Sequence, residues 1–450
     1  MDAWRVVVLA VVMAGAPVLG ARQPAARTPN DAGGARGVID GLPIKSHREQ
    51  ADIVRGFLVQ RFERLLPDLM RRHGIDMWVV ITREYNDDPV FRSMAPLTTY
   101  ASRRRTILVF HDRGDGRGVE RLSIGRFDYD KLYTVVPTHN DGQWAGLRTL
   151  LDERRPRVIA VNTSRTFAHA DGLSHTEHEA LVQAIGPEHA ARLASAEPLA
   201  VDWLERKLPE ETAAYRDAMA IAHAIIREAF SSAVITPGVT TTDDVAWWMR
   251  QRVAELGLGQ WFQPTVDIQR QGGRPPDSRV IQRGDLLHCD FGIVYLGFST
   301  DTQHNAYVLE VGESEAPAGM REGQRRGGRL QDIVFTHARP GATGNAALAA
   351  SLAQGKAEQL APVIYCHPIG FHGHGAGPHI GMTDYQDGLP GMGDYRFRPD
   401  TWHSIELSVV HAVPEWGGQP VRFALEEDAV LTTDGWRWIL ARQDDLHLVR

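Results

Sequence analysis

Asp290 interrupts the apolar run Leu286-Leu287-His288-Cys289-Asp290-Phe291, and Asp301 follows eleven residues later, beyond Gly297. A carboxylate in such a run is costly to bury unless something pairs with it. With Gly297 at a turn, two antiparallel strands would bring both carboxylates to one side. Glu406 in Trp402-His403-Ser404-Ile405-Glu406-Leu407 and Glu426 in Phe423-Ala424-Leu425-Glu426-Glu427-Asp428-Ala429 repeat the pattern, each read as lying within an otherwise apolar strand. Between the pairs runs a segment dense in imidazole and glycine, His367-Pro368-Ile369-Gly370-Phe371-His372-Gly373-His374-Gly375-Ala376-Gly377-Pro378-His379. Glycine admits a ligand close to the backbone, and neutral imidazole is a common metal ligand. Alone, an Asp pair on a hairpin is usually a surface feature, and one strand Glu can be an edge-strand guard against aggregation. Together, four carboxylates aimed into one core would repel one another unless cations neutralise them. Two divalent ions would do so. An oxygen-rich donor set with one imidazole suits manganese, with cobalt, zinc or iron as other candidates, better than copper. Cys289 and Cys366, the only cysteines, are too few for a thiolate cluster or a disulfide scaffold.

These residues need rigid elements to carry them. A chain of 450 residues, 43% hydrophobic and 23% charged, can bury a large core and suggests two domains. A formal charge of −7 and the lack of a dense basic run give no support for a nucleic-acid partner. Residues 1–20 combine Arg5, an apolar run and small residues near Gly20, the pattern of a cleaved signal peptide. The run is shorter than the ~20 residues a membrane span needs, so the expectation is a secreted or periplasmic protein without a stable membrane partner. Residues 21–44, rich in Ala, Gly, Pro and Arg, read as a flexible linker. From 45 to 203 helical and strand patterns alternate: a helix from Gln50 to His73, then strands at Asp76–Ile81, Arg105–His111, Val119–Ile124 and Pro156–Val161. That predicts an α/β domain. From 204 to 450 the pattern predicts helices opening at Pro209 and Thr242, two more near Met320–Thr336 and Thr343–Leu360, and a strand-rich end. All the candidate chemistry lies in this second part.

The order Asp290, Asp301, histidine, Glu406, Glu426 in these contexts resembles the pita-bread metallopeptidase family, which includes methionine aminopeptidase, prolidase and Xaa-Pro aminopeptidase, with creatinase as a relative. The resemblance covers about 209 to 440. The first half is similar to the creatinase-type N-terminal domain of prolidases. The implied fold is α+β, with an α/β domain ahead of a pita-bread domain. The implied activity is hydrolysis of a peptide or small amide, of the Xaa-Pro aminopeptidase or dipeptidase type, by a hydroxide that bridges two metals. By resemblance Asp290 would hold one ion, Asp301 and Glu426 would bridge both, and His372 and Glu406 would complete the second. His372 is preferred over His374 because the family sets a Gly three residues after the metal histidine and often a second histidine seven after it, here Gly375 and His379. Glu406 would also shuttle the proton, and His379 would polarise the scissile carbonyl. Relatives are often dimers, so a homodimer is a further expectation.

The chain departs from the family in its substrate-handling residues. A family histidine 17 or 18 residues before the first Asp falls here on Gly273 or Gly272, and His304 replaces an Arg three residues after the second Asp. Two alternatives stay open: a creatinase-like amide or amidine hydrolase that works without metal, and a non-catalytic binding module. Relatives of both kinds lose the acidic set that is complete here.

Overall fold

The computed structural model describes residues 38–450 apart from 115, 139–141 and 274–278. The signal segment, and all but the end of the linker, lie outside the described residues. The first helix runs His47–Gln60 and continues through Arg61–Leu65 to Leu66–Arg72. It starts where Ser46 and Glu49 cap each other's backbone N–H groups in a capping box, and its exit turn contains Gly74.

Six strands follow in the first half: β1 (Met77–Arg83), β2 (Arg105–Asp112), β3 (Val119–Ile124), β4 (Thr134–Val136), β5 (Ile159–Val161) and β6 (Leu193–Ser195). They form one mixed sheet in the spatial order β4-β3-β2-β1-β5-β6. The central strands are apolar on both faces because helices cover both sides. Helices Gln143–Arg154 and His175–Ala190 close one face around Leu147, Leu151, Leu181 and Ile185. Trp78 and Phe110 face the first helix on the other.

The chain then enters helix α1 (Pro209–Ala229), which carries Pro at its first position and Glu211 taking the Leu208 N–H at 2.7 Å. Glu211 also pairs with Arg61 at 3.0 Å, both fully buried. This pair and the stacked rings of Phe62 and Trp203 (5.5 Å) and of Tyr215 and Trp402 (4.1 Å) run one apolar core from the first helix into the second half.

Three small sheets carry the site in the second half, beside the short hairpin of Val294–Tyr295 with Phe298–Ser299. The first, in the order β16-β9-β8-β7, holds β7 (Thr265–Gln269), β8 (Leu286–Phe291), β9 (Thr302–Val308) and β16 (His447–Val449). All its pairings are antiparallel except β9 with β16. The second joins β10 (His367–Pro368), β11 (Thr401–Ser404), β14 (Asp428–Thr432) and β15 (Gly435–Trp438) in that order. The third joins Val363–Ile364, β12 (Leu407–Val413) and β13 (Gln419–Leu425). Helices Ala318–His337 and Gly344–Ala357 supply Met320, Leu330, Leu348 and Leu352 to a second core packed with Leu407, Val409, Phe423 and Leu425. No helix among the described residues is long and apolar enough to cross a membrane.

Candidate active site

Asp290 ends the apolar stretch of β8 and faces Gln303 across the antiparallel β8–β9 pair. Side chains alternate along a strand, so Asp301, two residues before Gln303, shares that face. The turn between them contains Gly297 at φ +76°, a conformation that glycine adopts without strain. Glu406 and Glu426 differ in place from the sequence reading. Neither lies inside a strand. Glu406 sits in the break between β11 and β12, where the chain leaves the second sheet for the third. Glu426 sits in the break between β13 and β14, where it returns. A single antiparallel bridge ties Glu426 to Gln303 of the first sheet. The carboxylates therefore collect at the seam of three sheets, where side chains are freed from strict in-and-out alternation.

Carboxylate oxygens of Asp290, Asp301 and Glu426 lie within 4.8 Å of one another, and so do ligand atoms of His367, Glu406 and Glu426. His367 Nε2 is 3.5 Å from Glu426 Oε1 and 3.7 Å from Asp301 Oδ2. Ser404 donates to Glu426 Oε1 at 2.6 Å, and the Gln303 amide donates to Glu426 Oε2 at 2.8 Å and to Glu406 Oε1 at 2.9 Å. Behind Asp301, Asp428 accepts its backbone N–H at 3.2 Å and the Tyr215 hydroxyl at 2.7 Å.

The histidine of this cluster is not the expected one. His367, in β10, pairs with Ser404 of β11 and is thereby held in the second sheet beside the Glu406 and Glu426 breaks. His372 lies farther along, in the glycine-rich excursion after Gly370, with its ring 4.7 Å from that of His169 in the first half. It belongs to none of the groups formed with the carboxylates. Burial, then His169, presses its pKa down to about 3. The spacing that favoured His372 fits His367 equally: Gly370 stands three residues on and His374 seven on. A β-strand start at His367-Pro368, ahead of the glycines, was the signal that could have separated the two. His374 has a ligand atom within 4.8 Å of Asp301 and His367, and its side chain stays open to solvent. His379 is buried, bonded to Gly377 O at 3.1 Å, with its ring 6.4 Å from that of His367.

Aromatic rings wall the open side. Tyr365 lies 5.2 Å from His367 and 5.9 Å from His374, and Trp261 makes an edge contact with His374 at 5.3 Å. Any Cβ at residue 373 would come within 2.4 Å of the Trp261 ring, so only glycine lets this loop approach it. Gly272 and Gly273, where the family histidine would fall, have φ of +73° and +88° and no neighbour within 4 Å of a built Cβ.

The electrostatics ask for positive charge. Burial, then Glu426, pushes Asp290 up to about 8; the same two causes push Glu406 up to about 8. Burial pushes Glu426 up to about 7 and Asp301 well above the carboxylate range, the latter with Glu426 and Asp290 adding to it. Asp290 Oδ1, Asp301 Oδ1 and His367 Nε2 are buried without hydrogen-bond partners. Burial keeps His367 neutral by lowering its pKa, leaving a lone pair for a ligand role. Orphaned oxygens and an orphaned imidazole around one centre fit divalent cations. An oxygen-rich set with one nitrogen fits the harder first-row ions.

Residues 213–434, just under half the chain, match the model of metallopeptidase family M24. The matched stretch holds the whole carboxylate cluster, and the match supports a metallopeptidase, a hydrolase. An X-Pro aminopeptidase from Thermotoga maritima aligns at a TM-score of 0.59 and 17% identity over 85% of this chain and 100% of its own. An Xaa-Pro dipeptidase from Bacillus anthracis aligns at 0.54 and 18% over 89% and 99%, and a prolidase from Pyrococcus horikoshii at 0.54 and 15% over 88% and 99%. These likenesses establish the fold, an α/β N-terminal domain followed by a pita-bread domain. A Mycoplasma genitalium protein provisionally named Xaa-Pro aminopeptidase is 29% identical over 98 residues, which is 21% of this chain and 27% of that protein.

Proposed function

We propose that the protein is a two-cation peptidase acting on Xaa-Pro peptides or dipeptides. The observation that carries this reading is the convergence of Asp290, Asp301, Glu406, Glu426 and His367 on one buried centre with unpartnered ligand atoms. Asp290, Asp301 and Glu426 would hold one ion, and His367, Glu406 and Glu426 the other. Two divalent ions at these positions, manganese foremost, would activate water near neutral pH and polarise a carbonyl.

The chain's own groups supply the rest. Glu406 is placed to take a proton from water on the cation side, since Gln303 occupies its Oε1 and leaves the other oxygen free of that bond. His374 faces the open side beside His367 and takes the carbonyl-facing role first assigned to His379. Trp261 and Tyr365 form an apolar wall suited to a pyrrolidine ring. The lack of a histidine at Gly272 and Gly273 supports modest rather than high turnover of free dipeptides. Export of the protein and pairing into a homodimer remain parts of this proposal. Export rests on the pattern of residues 1–20, which cell fractionation tests; the dimer rests on analogy, which sedimentation tests.

The deciding experiment is ion counting on the purified protein, joined to a panel of Xaa-Pro, non-proline dipeptide, lactam and phosphotriester substrates. Two ions per chain and chelator-sensitive Xaa-Pro cleavage are expected. Full activity without metal would return the creatinase-like alternative, and turnover of only the non-peptide compounds would reject the peptidase assignment.

A further inference from the structure

We propose that the backbone bridge between Gln303 and Glu426 is a latch fastened on both faces, with Gln303 and His304 as positioning residues for the Glu426 carboxylate. The proposal rests on the two-cation reading and adds residues that neither the family pattern nor the ligand set assigns.

The bridge itself is two backbone hydrogen bonds, Gln303 N–H to Glu426 O at 3.1 Å and Glu426 N–H to Gln303 O at 3.2 Å. Side-chain contacts show that Gln303 and Glu426 meet on one side of the bridge, and His304 and Glu427 on the other. On the cation side, one carboxamide is used completely. Its two N–H groups go to Glu426 Oε2 and Glu406 Oε1, and its carbonyl lies 2.9 Å from His288 Nε2. With its proton on Nε2, His288 donates that bond and so fixes which end of the amide faces the carboxylates. With Ser404 on Oε1 and Gln303 on Oε2, each Glu426 oxygen has one lone pair engaged and one left for a cation.

On the opposite side, Glu427 lies 2.6 Å from His304 Nε2 by one oxygen and 2.9 Å from His223 Nε2 by the other. His304 Nδ1 then lies 3.0 Å from His447 Nε2. The contact set therefore ties β9, helix α1, the β13–β14 break and β16 to a single carboxylate. His223, His304 and Glu427 also have the composition of a metal site. Direct nitrogen–oxygen contacts this short leave no room for an ion between them, so hydrogen bonding is their assigned role. His304 stands where the family favours Arg, and His223 and His447 complete a support that one guanidinium would otherwise supply.

Manganese titration of the chelator-stripped full chain tests the latch, with ion count and thermal midpoint of the stripped protein read alongside. Gln303→Met keeps the volume and removes the donors. It should weaken manganese binding about 10- to 100-fold, the range for outer-shell partners of metal ligands, with an unchanged stripped midpoint. His304→Leu should weaken binding similarly, and His304→Arg should recover most of it. Should His304→Leu fail to fold, Gln303→Met alone carries the test. Wild-type affinity in Gln303→Met overturns the latch, as does a third ion per wild-type chain that His223→Ala removes. A wild-type protein that binds no manganese defeats the two-cation reading instead, which separates the two failures.

Discussion

Glu426 and Glu427 are neighbours in sequence, and each is only 1% exposed, yet they are opposite in electrostatic state. Glu426 faces three other carboxylates and is pushed up to about 7 by burial. Burial works against the charge on Glu427 too, but His223 and His304 hold it down at about 2. Depth does not decide whether a buried acid is ionised; its partners do. The Glu427 side is complete as it stands, whereas the Glu426 side is complete only with cations, which is how a binding site differs from a structural ion pair.

The largest expected break of this contrast is Glu426→Ala. Removing the shared ligand should take the bound ions from two to none and lower kcat/KM by more than about 1,000-fold, a loss of about 4 kcal/mol in transition-state stabilisation. The stripped variant should be no less stable than the stripped wild type, because a repelled carboxylate has gone. Glu427→Ala should do the reverse on stability: leaving two buried imidazoles without their partner should cost about 3–5 kcal/mol in denaturant unfolding.

Next in size is the histidine pair. His367→Ala should lower metal affinity about 100-fold by calorimetry, while His372→Ala should keep both ions and stay within about threefold of wild-type activity, since its ring packs on His169 and joins none of the carboxylate groups. Equal metal loss in the two variants would break the assignment of His367.

A smaller effect comes from pH. Asp290, Glu406 and Glu426 have folded pKa values near 8, 8 and 7, above their ordinary values. Their contribution to the stripped protein is therefore fully present below about pH 4 and lost as pH rises towards 8. Ion binding displaces those protons, so the gap in thermal midpoint between loaded and stripped protein should widen from pH 5.5 to 8.5. Glu427, with its depressed value, should add no slope in that window. A gap that narrows with rising pH would contradict the raised values.

The smallest effect is expected from Gly272→His. The positive φ there costs a non-glycine residue about 1–2 kcal/mol, and the built Cβ meets no neighbour. This histidine should raise Xaa-Pro turnover by no more than about twofold, an effect under about 0.5 kcal/mol, because the backbone strain offsets the regained imidazole.

Much of the scaffold was legible because local signals agreed with tertiary ones. The strands at Arg105 and Val119 and the helices at Pro209 and Gly344 begin at or within a residue of the expected positions, each marked by a cap, a proline or a polar-to-apolar switch. The acidic set was legible because an Asp or Glu in an apolar run is conspicuous. What the sequence could not show was the seam. Glu406 and Glu426 read as strand residues because the apolar runs on either side belong to different sheets, and a change of sheet leaves no mark on hydrophobic alternation. Which histidine lies with the carboxylates was hidden for a related reason: one spacing rule fits two registers, at His367 and at His372, and only pairing with β11 separates them. Gln303, polar and short of charge, gave no signal in the sequence at all.

The parallel pairing of β16 with β9, through His447 to Val449, has a consequence for how the molecule comes into being. The carboxylate cluster draws on residues spread from 290 to 426, and the strand that carries Asp301's neighbours is flanked by His447–Val449, far along the sequence from it. Contacts so distant in sequence form slowly, because the intervening loop must lose its freedom before any pairing rewards it. A nascent chain on the ribosome would hold its helices and its first sheet long before this centre could close. The cluster is then among the later parts of the fold to close, because the segment His447–Val449 must be present before β9 has both its neighbours.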